Sequence, residues 1–286
     1  MSGGREPVQA TFWLLEAPDS LAQQSRREPD GTGIGSYAPD GRPVVDKRPL
    51  AAYEDEQFAR EARSISSRTF VAHVRYASTG ALTMHNTHPF EQHDRLFAHN
   101  GVIGDLGALE RELGDGMSLV HGESDSERFF ALITREIERA GGDVEAGIAA
   151  AAGWVAANLP VFALNFVLIT ASDLWAFRYP EIHELHVLER AAGGPSGSRH
   201  LEHASARGSI RVRSGDMAMR PAVVVATEPM DEDAGWRRLE SGELLHVSGE
   251  LNVSRRRVLD AAPAHPLTLA DLDPRAAASQ QAAAKA

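Results

Sequence analysis

Residues 70–101, FVAHVRYASTGALTMHNTHPFEQHDRLFAHNG, decide how the rest of the chain is read. Two apolar runs of strand character, 70–76 and 96–98, each pass into a polar cluster. The first cluster carries Arg75, Tyr76 and Ser78; the second is His99-Asn100-Gly101. Period-two alternation sets Ala72, Val74 and Tyr76 on one face of the first run, and Val71, His73 and Arg75 on the other. An arginine at one strand end and an Asn-Gly pair at a neighbouring one can share a rim. Such a rim offers a guanidinium to a carboxylate, and amide donors to an oxygen on which negative charge develops.

The 286 residues suffice for one large or two modest domains with a real core. At 43% hydrophobic and 24% charged, the composition is that of an ordinary globular protein. A formal net charge of −11 argues against nucleic acid or an anionic membrane as partner. No run of eighteen apolar residues occurs, and the opening MSGGREP lacks a signal-peptide core, so a cytoplasmic location is the default expectation. Cysteine is absent, which removes disulfides, thiolate metal sites and a cysteine nucleophile from these residues.

On the N-terminal side of the central stretch, 8–15 reads as a short helix and 21–26 as a second, behind Ser20. Residues 29–35, PDGTGIG, read as a glycine-rich turn entering a strand at 34–37, and the Asp40-Gly41 hairpin turn returns the chain into 43–46. A polar stretch at 54–64, with Phe58, Ala59 and Ala62 on one side, predicts a surface helix. On the C-terminal side, 106–113 predicts a short helix. Ser124-Asp125-Ser126-Glu127 predicts a capping box ahead of the helical run 129–137, with a second, Ala-rich helix at 144–159. Strands are expected at 161–170, 174–179, 184–188, 210–213, 222–227 and 243–247, and a Gly/Ser-rich loop at 192–209. Strands, then two helices, then strands again predict an α+β fold with antiparallel sheets in one domain over 1–258. The Ala/Pro-rich residues 259–286 are expected to be a disordered tail.

Four pieces occur in order: His73-Val74-Arg75-Tyr76, Thr87-His88-Pro89-Phe90, Ala98-His99-Asn100-Gly101 and Ser124-Asp125-Ser126-Glu127. Each alone is common; together, at this spacing, they are specific. They resemble the class II glutamine amidotransferases, members of the N-terminal-nucleophile hydrolase superfamily. Residues 29–35 are similar to a segment of the single-domain bacterial branch, and the resemblance covers roughly 8–250. It implies a four-layer αββα sandwich with two stacked antiparallel sheets. It also implies hydrolysis of the amide of glutamine or a γ-glutamyl compound, with no cofactor and no metal. By the same resemblance, Arg75 holds the substrate α-carboxylate, for which its planar fork is better suited than a lysine. Asp125 holds the α-ammonium, the Asn100 amide and the Gly101 N–H form the oxyanion hole, and Tyr76 and Ser78 lie in the substrate-binding segment beside Arg75. The implied partners are a small γ-glutamyl molecule and, unless the protein is a stand-alone amidohydrolase, a separate ammonia-using synthase subunit.

The family's nucleophile is an N-terminal cysteine on a central strand, with its own α-amine, titrating near 7.7–8.0, as general base. Here the residues open Met1-Ser2-Gly3-Gly4, and 3–7 look like the loop that follows such a strand. Three readings compete. The given start lies a few residues downstream of the natural one; or the chain is a non-catalytic γ-glutamyl-binding or regulatory module; or Met1 is removed and Ser2 is the nucleophile. Gly3-Gly4-Arg5-Glu6-Pro7 makes a poor buried strand for the third. As written, the residues are expected to be inactive, and a thioester route needs a cysteine ahead of Met1.

Other groupings read more plainly. His85, His88, His93 and His99 fit no zinc pattern and read as loop histidines. His183 and His186, three apart on an expected strand, point to opposite faces. Gly31, Gly33 and Gly35 lack the lysine and helix of a phosphate loop and read as turn glycines. His73 is expected to be structural, Trp154 and Phe162 core, and Arg255-Arg256-Arg257 a solvated turn.

Overall fold

A computed structural model describes residues 1–76, 81–192, 201–204, 211–214 and 220–282. The central element is a seven-stranded sheet ordered Val253–Arg257, Glu243–Val247, Leu174–Arg178, Pro160–Ile169, Arg95–Ile103, Phe90–Gln92, with His265–Pro266 running parallel beside the start of Pro160–Ile169. One face is buried under the helices Asp125–Arg139 and Val144–Asn158 through an aromatic-rich core that includes Phe97, Phe129, Phe130, Phe166 and Phe177. Ser124 starts the first helix, its Oγ accepting the Glu127 N–H at 3.2 Å. The reciprocal half of the expected capping box is absent, because the Glu127 carboxylate accepts the Gly122 N–H instead, at 2.6 Å.

The other face stacks on a second layer through Val71, Leu96, Ala98, Val187 and Leu245. That layer is split. One half is Pro43–Arg48, Gly31–Tyr37 and Phe70–Arg75; the other is Ala222–Ala226, His186–Arg190 and Arg237–Arg238. Phe12–Glu16 and Glu56–Ser64 cover its outer face over Phe12, Trp13, Phe58, Ala62, Phe70 and Val74. The order helices, sheet, sheet, helices is the α+β sandwich expected from the sequence. Among the described residues, no helix is long and apolar enough to cross a membrane.

The start of the chain runs between the two halves of the split layer. Met1 and Phe70 exchange both backbone hydrogen bonds, at 2.8 and 2.9 Å, and Ser2 and Val223 exchange theirs at 2.8 Å each. Residues 1–3 therefore do sit in a strand-like position, contrary to the expectation drawn from Gly3-Gly4. Gly3 fits there because a Cβ would fall 2.6 Å from a Val8 methyl.

Several further expectations are corrected. The strand expected at 96–98 runs over Arg95–Ile103, since Pro160–Ile169 pairs with it from Leu96 to Ile103 and keeps the polar Asn100 and Gly101 extended. Gly31, Gly33 and Gly35 are strand residues rather than turn residues: a Cβ on Gly33 would lie 2.0 Å from the His88 carbonyl oxygen. Arg255, Arg256 and Arg257 lie on an edge strand, where charge discourages further pairing. Within the expected loop 192–209, Leu201–Ala204 pairs with Arg211–Ser214; the remainder from 193 lies outside the described residues.

The expected disordered tail is ordered as far as residue 282. Ala264 and Leu267 donate backbone bonds to Ala156 and Val161, and Asp273 caps a helix over Pro274–Ala282. Composition does not reveal these backbone pairings or the cavity against which the helix lies.

Candidate active site

Alternation and pairing carry the site residues to one place. Arg75 ends the Phe70–Arg75 strand on the face that Val71 turns toward the opposite sheet, and Asn100 has the parity of Leu96 and Ala98, which face it from the seven-stranded sheet. A cavity of ≈ 210 Å³ opens there. A single water needs only about 10–15 Å³ by the same measure, so the space suits an amino-acid-sized ligand. Arg75, Tyr76, Asn100, Gly101 and Asp125 all line it, and so does Met1. Ser78 lies outside the described residues. Ser2 is fully buried but does not line the cavity; its Oγ is 3.4 Å from the Gly4 amide.

Arg75 is 5% exposed, and its Nη1 donates to the Ala81 carbonyl at 3.3 Å. Burial lowers its pKa, opposed by the nearby carboxylates of Asp30 and Asp125. The Ala81 turn is held from the opposite wall. Glu123 Oε2 accepts the Ala81 N–H, Asn86 Nδ2 donates to the Ala81 carbonyl, and Asn86 Oδ1 accepts the Glu123 N–H, at 3.1, 3.1 and 2.7 Å.

Asp125 opens its helix against the end of the central strand. Its Oδ2 accepts the Ile103 N–H and its Oδ1 the Ser126 N–H, each at 2.9 Å. Gly101 has no room for a side chain, since a Cβ would come within 1.9 Å of the Ala163 carbonyl oxygen. Burial lowers the Met1 α-amine to about 5, so it is neutral at pH 7.

Three histidines line the cavity, His88 and His99 buried and His73 half-buried. His99 is a strand residue, not a loop one. Its Nε2 faces the Ala163 carbonyl oxygen at 3.2 Å, which can only accept; Nε2 therefore carries the proton and Nδ1 accepts from Ser126 Oγ at 2.9 Å. Burial lowers its pKa and keeps it neutral. His73 and His88 stack with ring centres 4.2 Å apart. Burial and then the charge of Arg75 push His73 down to about 3, and burial and then His73 push His88 well below its ordinary value. Among the described residues no cluster could hold a metal ion. Spacing gave no signal for these roles, because Ser126 is distant in sequence from His99. The wall residues Asn165, Ser279 and Gln280 were missed for the same reason.

A sequence profile of the class II glutamine amidotransferases matches residues 17–266. The chain belongs to the class II glutamine amidotransferases. It is 32% identical over 255 residues to an uncharacterized protein of Methanocaldococcus jannaschii, covering 85% of this chain and 68% of that one. It is 29% identical over 161 residues to a probable glutamine amidotransferase of Saccharomyces cerevisiae, covering 49% of this chain and 45% of the yeast protein. The fold matches glutamine phosphoribosylpyrophosphate amidotransferase from B. subtilis with a TM-score of 0.61 at 19% identity, over 91% of this chain and 48% of that one. The chain thus spans under half the length of these last two amidotransferases.

Proposed function

We propose that this class II amidotransferase chain binds glutamine or a γ-glutamyl amide and hydrolyses its amide. One observation carries the reading: Arg75, Asn100, Gly101 and Asp125, from three separate elements, line one cavity that ends at the start of the chain. Arg75 takes the α-carboxylate through its fork and Asp125 the α-ammonium. Attack on the amide carbon moves charge onto its oxygen, toward the Asn100 amide and the Gly101 N–H; ammonia leaves, and water releases the glutamyl group as a free acid.

The attacking group is proposed to reach the site on a strand between the two halves of the split layer. Beyond Phe70 and Val223, the facing edges of Phe70–Arg75 and Ala222–Ala226 have no strand partner among the described residues. Continuing the Met1–Phe70 register through that gap, the position five residues ahead of Met1 falls opposite Arg75. A cysteine there would stand beside the candidate clamp with its amine as base. Ser2 is a weaker nucleophile on geometry, because its hydroxyl is turned out of the cavity. The ammonia is assigned to release or to a separate synthase subunit.

The test is a chain extended ahead of Met1 by a five-residue strand that begins with cysteine. Release of ammonia and glutamate from glutamine, lost when that cysteine is changed to alanine, is the expected result. An extended chain that is folded, inactive, and unable to bind glutamate would overturn the reading. An inactive chain that still binds glutamate would favour the non-catalytic γ-glutamyl-binding module.

A further inference from the structure

The helix Pro274–Ala282 lies against the cavity, with Ser279 and Gln280, 6% and 5% exposed, forming part of its wall. It is fastened to both halves of the split layer. Near its start, Arg275 pairs with Asp30 at 3.6 Å; Asp30 precedes the Gly31–Tyr37 strand, and its N–H donates to the Arg75 carbonyl at 2.8 Å. Near its end, Gln280 Oε1 lies 2.7 Å from His183 Nε2, ahead of the His186–Arg190 strand, and Gln280 Nε2 donates to Ser279 Oγ at 3.0 Å. The helix therefore crosses from the half that carries Arg75 to the other half.

We infer that this helix is a strap that closes the cavity over a bound γ-glutamyl group and lifts to admit it. The inference rests on the proposed function for the identity of the ligand, but not for the motion. Three features make lifting easy. Ala276 is the one apolar side chain between residues 274 and 280 that is buried. The Arg275–Asp30 pair is 52% and 23% exposed, and such exposed pairs hold weakly. The other side-chain fastening found among the described residues is the Gln280–His183 hydrogen bond, a single bond of modest net strength. By contrast, the Asp125–Arg139 helix buries ten of its fifteen residues. Segments with few apolar contacts open first. When the strap is down, the Gln280 carboxamide and Ser279 hydroxyl become part of the wall that a bound ligand meets.

The absence of cysteine permits a direct test. A single cysteine is placed on the cavity wall, Ala98→Cys, two residues before Asn100 on the same face, and its labelling by a small charged thiol reagent is timed. The same protein carrying Arg275→Ala and Gln280→Ala is expected to label about tenfold faster while remaining folded at the labelling temperature. Equal rates would overturn the strap. Should the double variant unfold, hydrogen exchange in the unmodified chain decides. Amides at 276–280 are expected to exchange far faster than those of the Asp125–Arg139 helix; equally slow exchange would overturn the inference. Saturating L-glutamate is expected to slow labelling of the full chain. Faster labelling of the strap variant with no protection by glutamate would uphold the strap and count against the ligand reading alone.

Discussion

At the scale of single residues, the proposed roles divide into groups that meet the ligand and groups that hold them. In a chain supplied with the nucleophile strand, Asn100→Ala is expected to lower kcat by about 10²–10³ with little change in KM, since an oxyanion donor acts mainly in the transition state. Steady-state glutaminase assays check this, and Arg75→Ala in the same assays is expected to raise KM most. His99 is a holding group. Ser126→Ala leaves its buried Nδ1 without a donor and is expected to cost about 1–3 kcal/mol in urea denaturation.

Glu28 gives a pH signature. Burial and then the charge of Glu228 raise its pKa to about 7 from an ordinary value of 4.5. A carboxyl that binds its proton more tightly when folded stabilises below the lower value, and that stability is lost as pH rises through the higher one. Glu28→Gln is therefore expected to match the parent at pH 4.5 and to be more stable at pH 8, the gap opening between those values in denaturation curves. Arg75, Asn100, Gly101 and Asp125 stood out in the sequence through the resemblance of four ordered pieces, and the fold brings them to one cavity. The settings of His99 and His88 were not legible, because they are made by burial and by partners such as Ser126 and His73 that only the fold brings near.

At the scale of elements, alternation located most strands and the Ser124 cap located the main helix, because both signals are local. The glycines of 29–35 misled for a tertiary reason. Turn and strand glycines look alike in sequence, and only the His88–Pro89 crossing shows why a side chain is excluded at Gly33, where a Cβ would also come within 2.9 Å of Pro89 and Lys47. Gly33→Ala is accordingly expected to destabilise by about 1–3 kcal/mol through overpacking against backbone that cannot move aside. Gly153 is the contrast. It lies within the Val144–Asn158 helix, with nothing closer to a new Cβ than Leu259 at 3.8 Å. Gly153→Ala is expected to stabilise by about 0.5–1 kcal/mol, because alanine loses less backbone freedom in a helix. Equilibrium denaturation of the two variants against the parent checks both. The Pro274–Ala282 helix stayed hidden because its Ala-rich composition is shared by disordered segments; what orders it is the Asp273 cap and the cavity wall.

At the scale of the whole molecule, one sheet of the sandwich is continuous and the other is two three-stranded pieces, whose strands are bridged among the described residues by the backbone of Met1 and Ser2. The family resemblance raised a strand ahead of Met1 as one of three readings, and nothing in the residues pointed to Met1 and Ser2 threading between Phe70 and Val223. Two open strand edges facing one another present unpaired N–H and C=O groups and invite a pairing chain. A five-residue strand of about 17 Å entering there would run along Phe70–Arg75 throughout, meet Val225 and Ala226 with the two residues next to Met1, and join the pieces into one seven-stranded sheet. Its ladder bonds contribute about 0.5–1.5 kcal/mol each, against roughly 1–2 kcal/mol of ordering per residue, so the gain comes mainly from the apolar side chains it lays over the cores on either side. At about 2–4 °C per kcal/mol for a protein of this size, the thermal midpoint of the extended chain is expected to rise by at least about 4 °C. A proline at the middle position of the added strand, which removes one donor from the ladder, is expected to cancel the rise. Hydrogen exchange at Ala72 and Val225 localises the effect, since both edges slow together only if the strand lies between them. An extended chain with an unchanged midpoint and unprotected edges would show that the gap takes no strand, and the attacking group would have to enter the cavity from another direction.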